Sequence, residues 1–289
     1  MRNNTIIVYG LGEMGASLAL ILNQREENTV IGVDIDEISV RTAQEAGIID
    51  WGTTDLETVA LQADVIILAT PVNQIKVAIH VLAGLTLKES VIITDTGSTK
   101  TAILQQAEHD LTPKGVAFIG GHAMAGTHKT RVVAASALLY ENAPYFLIPS
   151  TISANRVAKL KDLFEPLRAN LRIMPVEKHD EIIAMVSDVP HITAFGLMNA
   201  ASDQLGDAAY IGQFVAGGFI DTTRIAAADP ELWTEIILSN KDAILASQQA
   251  LITSLNQMKQ AIEMNDDKTL YALFKKAQTA RTRLLEQRG

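Results

Sequence analysis

Thr5-Ile6-Ile7-Val8-Tyr9-Gly10-Leu11-Gly12-Glu13-Met14-Gly15 decides the fold. An apolar, β-branched run ends in three glycines at the spacing Gly-x-Gly-x-x-Gly, and a helix-forming stretch follows. This spacing by itself is common. Placed directly between a strand and a helix, it reads as the phosphate-binding turn of a dinucleotide-binding βαβ unit. Gly10 permits the tight turn, Gly12 lets a pyrophosphate approach the backbone, and Gly15 permits close helix packing. Met14 is placed with them at the cofactor site. The helix that follows turns its unpaired N–H groups toward the phosphates. The alternative is a glycine-rich turn that holds no ligand.

Working outward, the second strand ends in Val33-Asp34-Ile35-Asp36-Glu37. Asp34 stands nineteen residues past Gly15, where a carboxylate accepts hydrogen bonds from the adenosine ribose hydroxyls and repels a 2′-phosphate. No basic residue follows until Arg41, so the expected cofactor is NAD rather than NADP. Alternatively Asp34 caps the next helix, a task that Asp36 could perform instead. Strands are expected at Thr5–Tyr9, Thr29–Asp34, Asp64–Thr70, Ser90–Thr96, Val116–Gly120 and Pro144–Pro149. Runs such as VIILAT are continuously apolar, as in strands buried on both faces of a parallel sheet. Helix-length segments lie between them, including Glu13–Asn23, Glu37–Glu45 and Asn73–Ala83, and the alternation is that of a doubly wound α/β fold. A helix near Ser153–Ala169 and a last strand at Arg172–Val176 complete this part.

From Glu177 the pattern becomes helical, interrupted by the Gly- and Pro-bearing stretch Gly212–Pro230. The expected boundaries are 1–176 for a nucleotide-binding domain and 177–289 for an all-α domain. Ile237, Ile244, Leu251 and Met258 recur every seven residues, with Leu238, Leu245, Ile252, Leu255 and Ile262 widening the stripe. So broad an apolar face packs on other helices, in this chain or in a second copy.

The chain has 289 residues, 48% of them hydrophobic, with a formal charge of −9, and this acidic balance argues against a nucleic-acid partner. It contains no cysteine, which excludes disulfides and thiolate chemistry and fits a reducing cytoplasm. The N-terminal strand begins too early to leave room for a signal peptide, and no apolar run is expected to span a membrane.

Two further segments carry chemistry. Gly120-Gly121-His122-Ala123-Met124-Ala125-Gly126 holds one histidine among small residues. Small residues allow close approach of a ligand, and a histidine there can exchange protons near neutral pH, so His122 is the candidate base. Phe219-Ile220-Asp221-Thr222-Thr223-Arg224-Ile225-Ala226 offers Arg224 for bidentate pairing with a carboxylate, or for a salt bridge to Asp221 that only fixes the loop. Thr70-Pro71 and Asp95-Thr96-Gly97-Ser98-Thr99-Lys100 end strands on the edge where open α/β sheets bind ligands. Thr70 and Pro71 are expected to line the cofactor. Ser98 either hydrogen-bonds a substrate hydroxyl or the nicotinamide, or N-caps a helix. Lys100 is expected to be a solvated charge.

In order along the chain, YGLGEMGASLAL, DTGSTK, GGHAMAG, VPHITA, DTTRIA and LWTEIILSN resemble the prephenate dehydrogenase family, which includes arogenate and cyclohexadienyl dehydrogenases. The resemblance implies a Rossmann domain followed by a helical dimerisation domain, a homodimer, NAD as cofactor and no metal. It implies oxidative decarboxylation of prephenate in tyrosine biosynthesis. His122 then corresponds to the family's catalytic histidine, Ser98 to a serine that helps hold the ring hydroxyl and nicotinamide, and Arg224 to the ligand of the substrate carboxylate. His191 matches a second active-site histidine and Trp233 a tryptophan near the pocket. Read without the resemblance, His191 is a satisfied histidine on a buried helix. Ala123, His128, Ile220 and Asp188 depart from the family's usual proline, glutamate, basic residue and histidine, which bears on gating and substrate choice rather than on the reaction class.

Three other readings compete. An arogenate dehydrogenase would differ only in taking an amino group where prephenate has a keto group. A β-hydroxyacid dehydrogenase would need a catalytic lysine in the helical half, where Lys178 and Lys241 are the candidates. A non-enzymatic NAD sensor leaves GGHAMAG and DTTRIA unexplained.

Overall fold

The computed structural model describes residues 4–126, 131–206 and 208–287. Strand and helix alternate through β1 (Asn4–Tyr9), α1 (Glu13–Leu22), β2 (Asn28–Val33), α2 (Glu37–Glu45), β3 (Trp51–Thr53), α3 (Leu56–Ala60), β4 (Val65–Leu68) and α4 (Val72–Ala83). They continue through β5 (Ile92–Asp95), α5 (Thr101–Asp110), β6 (Ala117–Ala123), β7 (Pro144–Pro149), α6 (Val157–Leu163) and β8 (Asn170–Ile173). The eight strands form one sheet in the order β3-β2-β1-β4-β5-β6-β7-β8. β7 runs antiparallel to β6; every other neighbouring pair is parallel. In register, Ile7 lies between Ile31 and Ile66. The strand order reverses between β1 and β4, and ligands of such sheets bind at that point.

Helices cover both faces, which is why the strand sequences are apolar without alternation. Ile6, Val8 and Ile67 pack with Leu18, Leu22, Tyr145 and Phe164 on one side. Ile7, Ile66 and Ile93 pack with Ile75, Ile79, Leu82 and Ile103 on the other.

The sheet departs from the sequence expectation in detail. β3 and α3 were not foreseen; Trp51–Thr53 is only three residues long. The expected last strand at Arg172–Val176 lies earlier, at Asn170–Ile173, where it pairs with β7. Pro175 stops it, having no N–H for a ladder, and instead precedes the helix that begins at Val176. The long helix expected at Ser153–Ala169 is only α6, with a 3₁₀ turn on either side; Pro166 lies in the second of these turns.

The second half contains α7 (Val176–Ile183), α8 (Val189–Leu205), α9 (Ala208–Ile211), α10 (Gly217–Thr223), α11 (Pro230–Ser239), α12 (Lys241–Glu263) and α13 (Asp267–Glu286). α7 and α8 are joined by a π turn at Ala184–Asp188 and form one continuous helix. Pro190 follows that turn; a proline here cannot close an ordinary α-helical hydrogen bond, and wider local winding accommodates it. An 18-residue window within the continuous helix Val176–Leu205 has a mean hydropathy of 1.2 and would suffice to cross a membrane by length and composition alone, where the sequence reading expected no such run. The helix also carries His179, Asp180 and Asp188, all buried and held by protein hydrogen bonds.

The stripe read from Ile237 to Ile262 spans two helices, broken at Asn240. Ile236 and Ile244 are buried, whereas Leu238, Leu245, Ile252, Leu255 and Ile262 remain exposed within the single chain. Ile237, Leu251 and Met258 are half-buried, so of the nine stripe residues one is core and five are uncovered within the single chain.

Candidate active site

The glycine loop has the geometry its spacing implies. Gly10 has φ +97°, and a Cβ there would stand 2.6 Å from the Ala69 carbonyl oxygen. A Cβ on Gly15 would lie 1.9 Å from the Gly10 carbonyl oxygen, so α1 rests directly on the turn. Above Gly12 the space is open. Asp34 accepts from the Leu11 amide at 2.7 Å and the Asp36 amide at 2.9 Å, and so ties the loop to the end of β2. Asp36, not Asp34, caps α2. The Met14 carbonyl is fixed by the Tyr140 hydroxyl at 2.7 Å. Thr70 sits against Gly10, and its hydroxyl oxygen is buried without a hydrogen-bond partner. Pro71 is exposed at the start of α4. An open approach over Gly12, a helix start without a side-chain cap at Gly12, a half-exposed carboxylate and an orphaned hydroxyl fit a dinucleotide.

His122 lies within β6 rather than in a loop after it, because the strand continues to Ala123. Gly121 permits this layer to close: a Cβ there would stand 2.2 Å from the Asp95 carbonyl oxygen. The Gly121 peptide is gripped from both sides. Its N–H donates to Asp95 Oδ1 at 3.0 Å, and its carbonyl accepts from Lys100 Nζ at 2.8 Å. Lys100 also donates to Asp95 Oδ2. Lys100 is fully buried, so the expectation of a solvated charge is corrected; burial pulls its ammonium below the ordinary lysine range, against the opposing pull of Asp95.

His122 Nδ1 is 2.8 Å from His179 Nε2, and His179 Nδ1 is 2.7 Å from Asp180 Oδ1. Asp180 accepts in addition from the amides of Lys100 at 3.0 Å and Thr101 at 2.8 Å. It therefore caps α5 from the helical domain. Ser98 takes no part in that cap; it is half-buried in the turn after β5. Burial would raise the Asp180 carboxyl, but the hydrogen bonds from His179, Thr101 and Lys100 outweigh it and hold the carboxyl below its ordinary range. Burial drives His122 well below the ordinary histidine value, and His179 and Lys100 add to the effect, so the ring is neutral at pH 7. His122 is 7% exposed, and among the described residues its Nε2 has no hydrogen-bond partner. His179 and Asp180 were missed in the sequence; the adjacent His-Asp pair at the start of the helical half was the available signal.

The second group lies on the helical domain. His191 stacks on Trp233, with ring centroids 3.4 Å apart at 21°, and its Nδ1 is 2.9 Å from the Ser187 carbonyl oxygen. Burial lowers its pKa, and the nearby Arg224 charge lowers it further, so these three residues share one neighbourhood. The reading of His191 as merely satisfied and buried does not describe it, since the ring is half-exposed beside a cation. Arg224 is exposed and makes no ion pair with Asp221 among the described residues. It lines a mostly apolar cavity of about 340 Å³ with Met198, Val215, Phe219 and Ile220. Among the described residues, none that lines that cavity hydrogen-bonds or packs ring-on-ring with His122. The two groups are linked through Asn240, which donates to the Asp180 carbonyl at 3.0 Å and to Asp188 at 3.2 Å. Burial raises the Asp188 carboxyl to about 6. His128 lies outside the described residues. Lys178 pairs with Glu181 at 3.0 Å on the surface and Lys241 is exposed, so neither has the buried setting of a catalytic lysine.

The domains are also tied by Thr99 to Ser239 at 2.9 Å and by the Asn73 amide to Glu235 at 2.5 Å. A glycine loop at a sheet switch point, with a neutral histidine buried where a helical domain closes on the same sheet, defines a two-domain dinucleotide-dependent dehydrogenase. A family model described as the nucleotide-binding domain of prephenate dehydrogenase matches residues 18–173, and one described as its dimerization domain matches residues 175–276. The chain belongs to the prephenate dehydrogenase family. It is 35% identical to prephenate dehydrogenase of Bacillus subtilis over 289 residues, covering 99% of this chain and 78% of that protein. Its structure is similar to that of Aquifex aeolicus prephenate dehydrogenase in complex with hydroxyphenyl propionate and NAD+, with a TM-score of 0.90, 30% identity and coverage of 98% and 99%. It is also similar to Synechocystis arogenate dehydrogenase, with a TM-score of 0.84, 30% identity and coverage of 97% and 99%.

Proposed function

We propose that this protein oxidatively decarboxylates prephenate to 4-hydroxyphenylpyruvate and CO2, with NAD as hydride acceptor. The observation that carries the reading is a neutral histidine, His122, fixed through Nδ1 and open at Nε2, in a chain of this family. When bound, the nicotinamide accepts the hydride from the ring carbon bearing the hydroxyl. His122 Nε2 takes the hydroxyl proton as the C=O forms. The bond to the ring carboxylate breaks and CO2 leaves, its electron pair enters the ring and passes to the oxygen, and that oxygen takes the proton back from His122 to give the phenol. Ser98, at the carboxyl end of β5, holds the hydroxyl and the nicotinamide. Arg224 binds the substrate carboxylate, with His191 and Trp233 beside it. Gly10, Gly12, Met14, Gly15, Asp34, Thr70 and Pro71 hold the dinucleotide. A cytoplasmic setting belongs to the same proposal. The test is NADH absorbance on mixing the protein with NAD and prephenate, and in parallel with arogenate. Turnover of prephenate with higher kcat/KM is expected; no turnover of either compound would refute the reading.

Arg224→Ala is expected to raise KM for prephenate about 10- to 100-fold with a smaller change in kcat, since a charge-assisted hydrogen bond is worth roughly 1.5–3 kcal/mol. An unchanged KM in steady-state assays would remove Arg224 from the substrate site.

Asp34 governs cofactor choice in this reading. The unmutated protein should favour NAD, and Asp34→Ser should narrow the preference by removing the repulsion of a 2′-phosphate. The kcat/KM ratio of the two cofactors measures this, and a ratio near one in the unmutated protein would contradict it.

The exposed part of the α11–α12 stripe is assigned to a two-fold interface between copies. Sedimentation at micromolar concentration should give about twice 31.2 kDa, and Leu245→Glu with Ile252→Glu should shift it to monomer. A monomer before mutation would leave that face for another partner.

A further inference from the structure

We propose that His179 and Asp180 are positioning residues that lock His122 in one tautomer, with its proton on Nδ1, and accept part of the positive charge that forms on it. The inference rests on His122 being the base, as read above, and goes beyond it by naming what makes the base competent.

The direction of each hydrogen bond follows from the end of the chain. Asp180 is an acceptor only: its Oδ1 receives the Lys100 amide and its Oδ2 the Thr101 amide. The 2.7 Å contact between Asp180 Oδ1 and His179 therefore carries the proton on His179 Nδ1. A neutral His179 then has its lone pair on Nε2. Across the 2.8 Å contact, His122 must donate from Nδ1. Its own lone pair is left on Nε2, the atom with no partner among the described residues. The opposite tautomer would place two lone pairs against each other across 2.8 Å. It would also present an N–H, not a base, to a substrate hydroxyl.

Fixed groups around the pair favour this order. Lys100, paired with Asp95, is buried beside the Gly121–His122 peptide and discourages a second positive charge there before reaction. His179 is fully buried, packs edge-on against Phe146 at 5.7 Å, and has no route to reorient without breaking its bond to Asp180. When the substrate hydroxyl proton arrives on His122 Nε2, the Nδ1 proton can move along the existing hydrogen bond to His179 Nε2. The charge then lies next to the Asp180 carboxylate. One proton enters the pair and none is lost, so the step needs no other reactant.

His122 and His179 come from different domains, β6 and α7. The tautomer is thus set only when the helical domain is seated on the sheet.

The test combines spectroscopy and kinetics on the full-length protein. In ¹⁵N-histidine-labelled protein at pH 7.5, with His122 assigned by loss of its signals in His122→Asn, Nδ1 of both His122 and His179 should carry the proton. His179→Leu should release the His122 tautomer and lower kcat about 10- to 100-fold, part of the effect of a general base. NAD affinity and KM for prephenate should stay within a few-fold. His179→Gln, whose carboxamide oxygen can accept from His122 Nδ1, should recover at least tenfold of that loss. A proton on His122 Nε2 in the unmutated protein overturns the proposal, and this holds even if His179→Leu does not fold. Unchanged kcat in His179→Leu, with His122→Asn inactive, overturns the relay and leaves the base. Normal turnover in His122→Asn overturns both.

Discussion

His122→Asn is expected to lower kcat about a hundred- to ten-thousand-fold, the range over which a positioned general base contributes, and to leave KM for prephenate within a few-fold. Asparagine can still occupy the site and hydrogen-bond, but it cannot take a proton at neutral pH. The loss therefore falls on the transition state rather than on binding. The pH dependence makes the assignment specific. Burial, His179 and Lys100 all act to keep His122 unprotonated, so its working form persists below the usual histidine range. The sign follows: kcat should hold as pH falls through 6.5 and decline only at more acid values, where His122 finally takes a proton from solvent. Removing the ring removes that decline, and the residual activity of His122→Asn should be flat there. Steady-state kcat between pH 5 and 9 measures both. An acid limb that survives in His122→Asn would assign it to another group, with Asp188 and His191 the first to test.

The residues that could be read from the sequence are those whose job is local. Gly10 and Gly15 need their positions for backbone reasons that extend over a few residues, and the structure places a carbonyl oxygen where each Cβ would go. The apolar runs of β1 and β4 announced burial on two faces because no polar residue interrupts them. His122 stood out for the small residues around it. What stayed hidden depends on distant partners. Lys100 looks like any helix-start lysine until β6 supplies the Gly121 carbonyl and β5 supplies Asp95. His179 and Asp180 sit in an ordinary charged helix start, VEKHDE, and acquire a role only when α7 reaches the start of α5 and the carboxyl end of β6. β3 and β8 escaped for a different reason. They are edge strands of three and four residues, partly exposed, and their weak apolar pattern is set by pairing rather than by sequence. The apolar stripe misled in one respect. Its seven-residue recurrence runs through Asn240, where α11 ends and α12 begins, so it is carried by two helices rather than one.

Lys100→Met is expected to destabilise the protein by about 3–5 kcal/mol, the range for removing one partner of a buried ion pair. Methionine matches the length of the lysine stem, so packing is largely kept and the effect is electrostatic. Asp95 would be left fully buried, with the Gly97 and Gly121 amides as its remaining donors at 2.8 and 3.0 Å. The Gly121 carbonyl would lose the donor that meets it at 2.8 Å. Both effects fall on the peptide that precedes His122, so the pair ties the stability of the fold to the strand that carries His122. Asp95→Ala should cost a comparable amount by stranding the ammonium instead. The double variant should lose less than the two single losses added together, by about 1–3 kcal/mol, because neither charge is then left alone. Urea unfolding of the four proteins closes the cycle. A Lys100→Met variant within about 1 kcal/mol of the unmutated protein, or losses that simply add, would mean that the two charges are separately solvated and that β6 is held by its ladder alone.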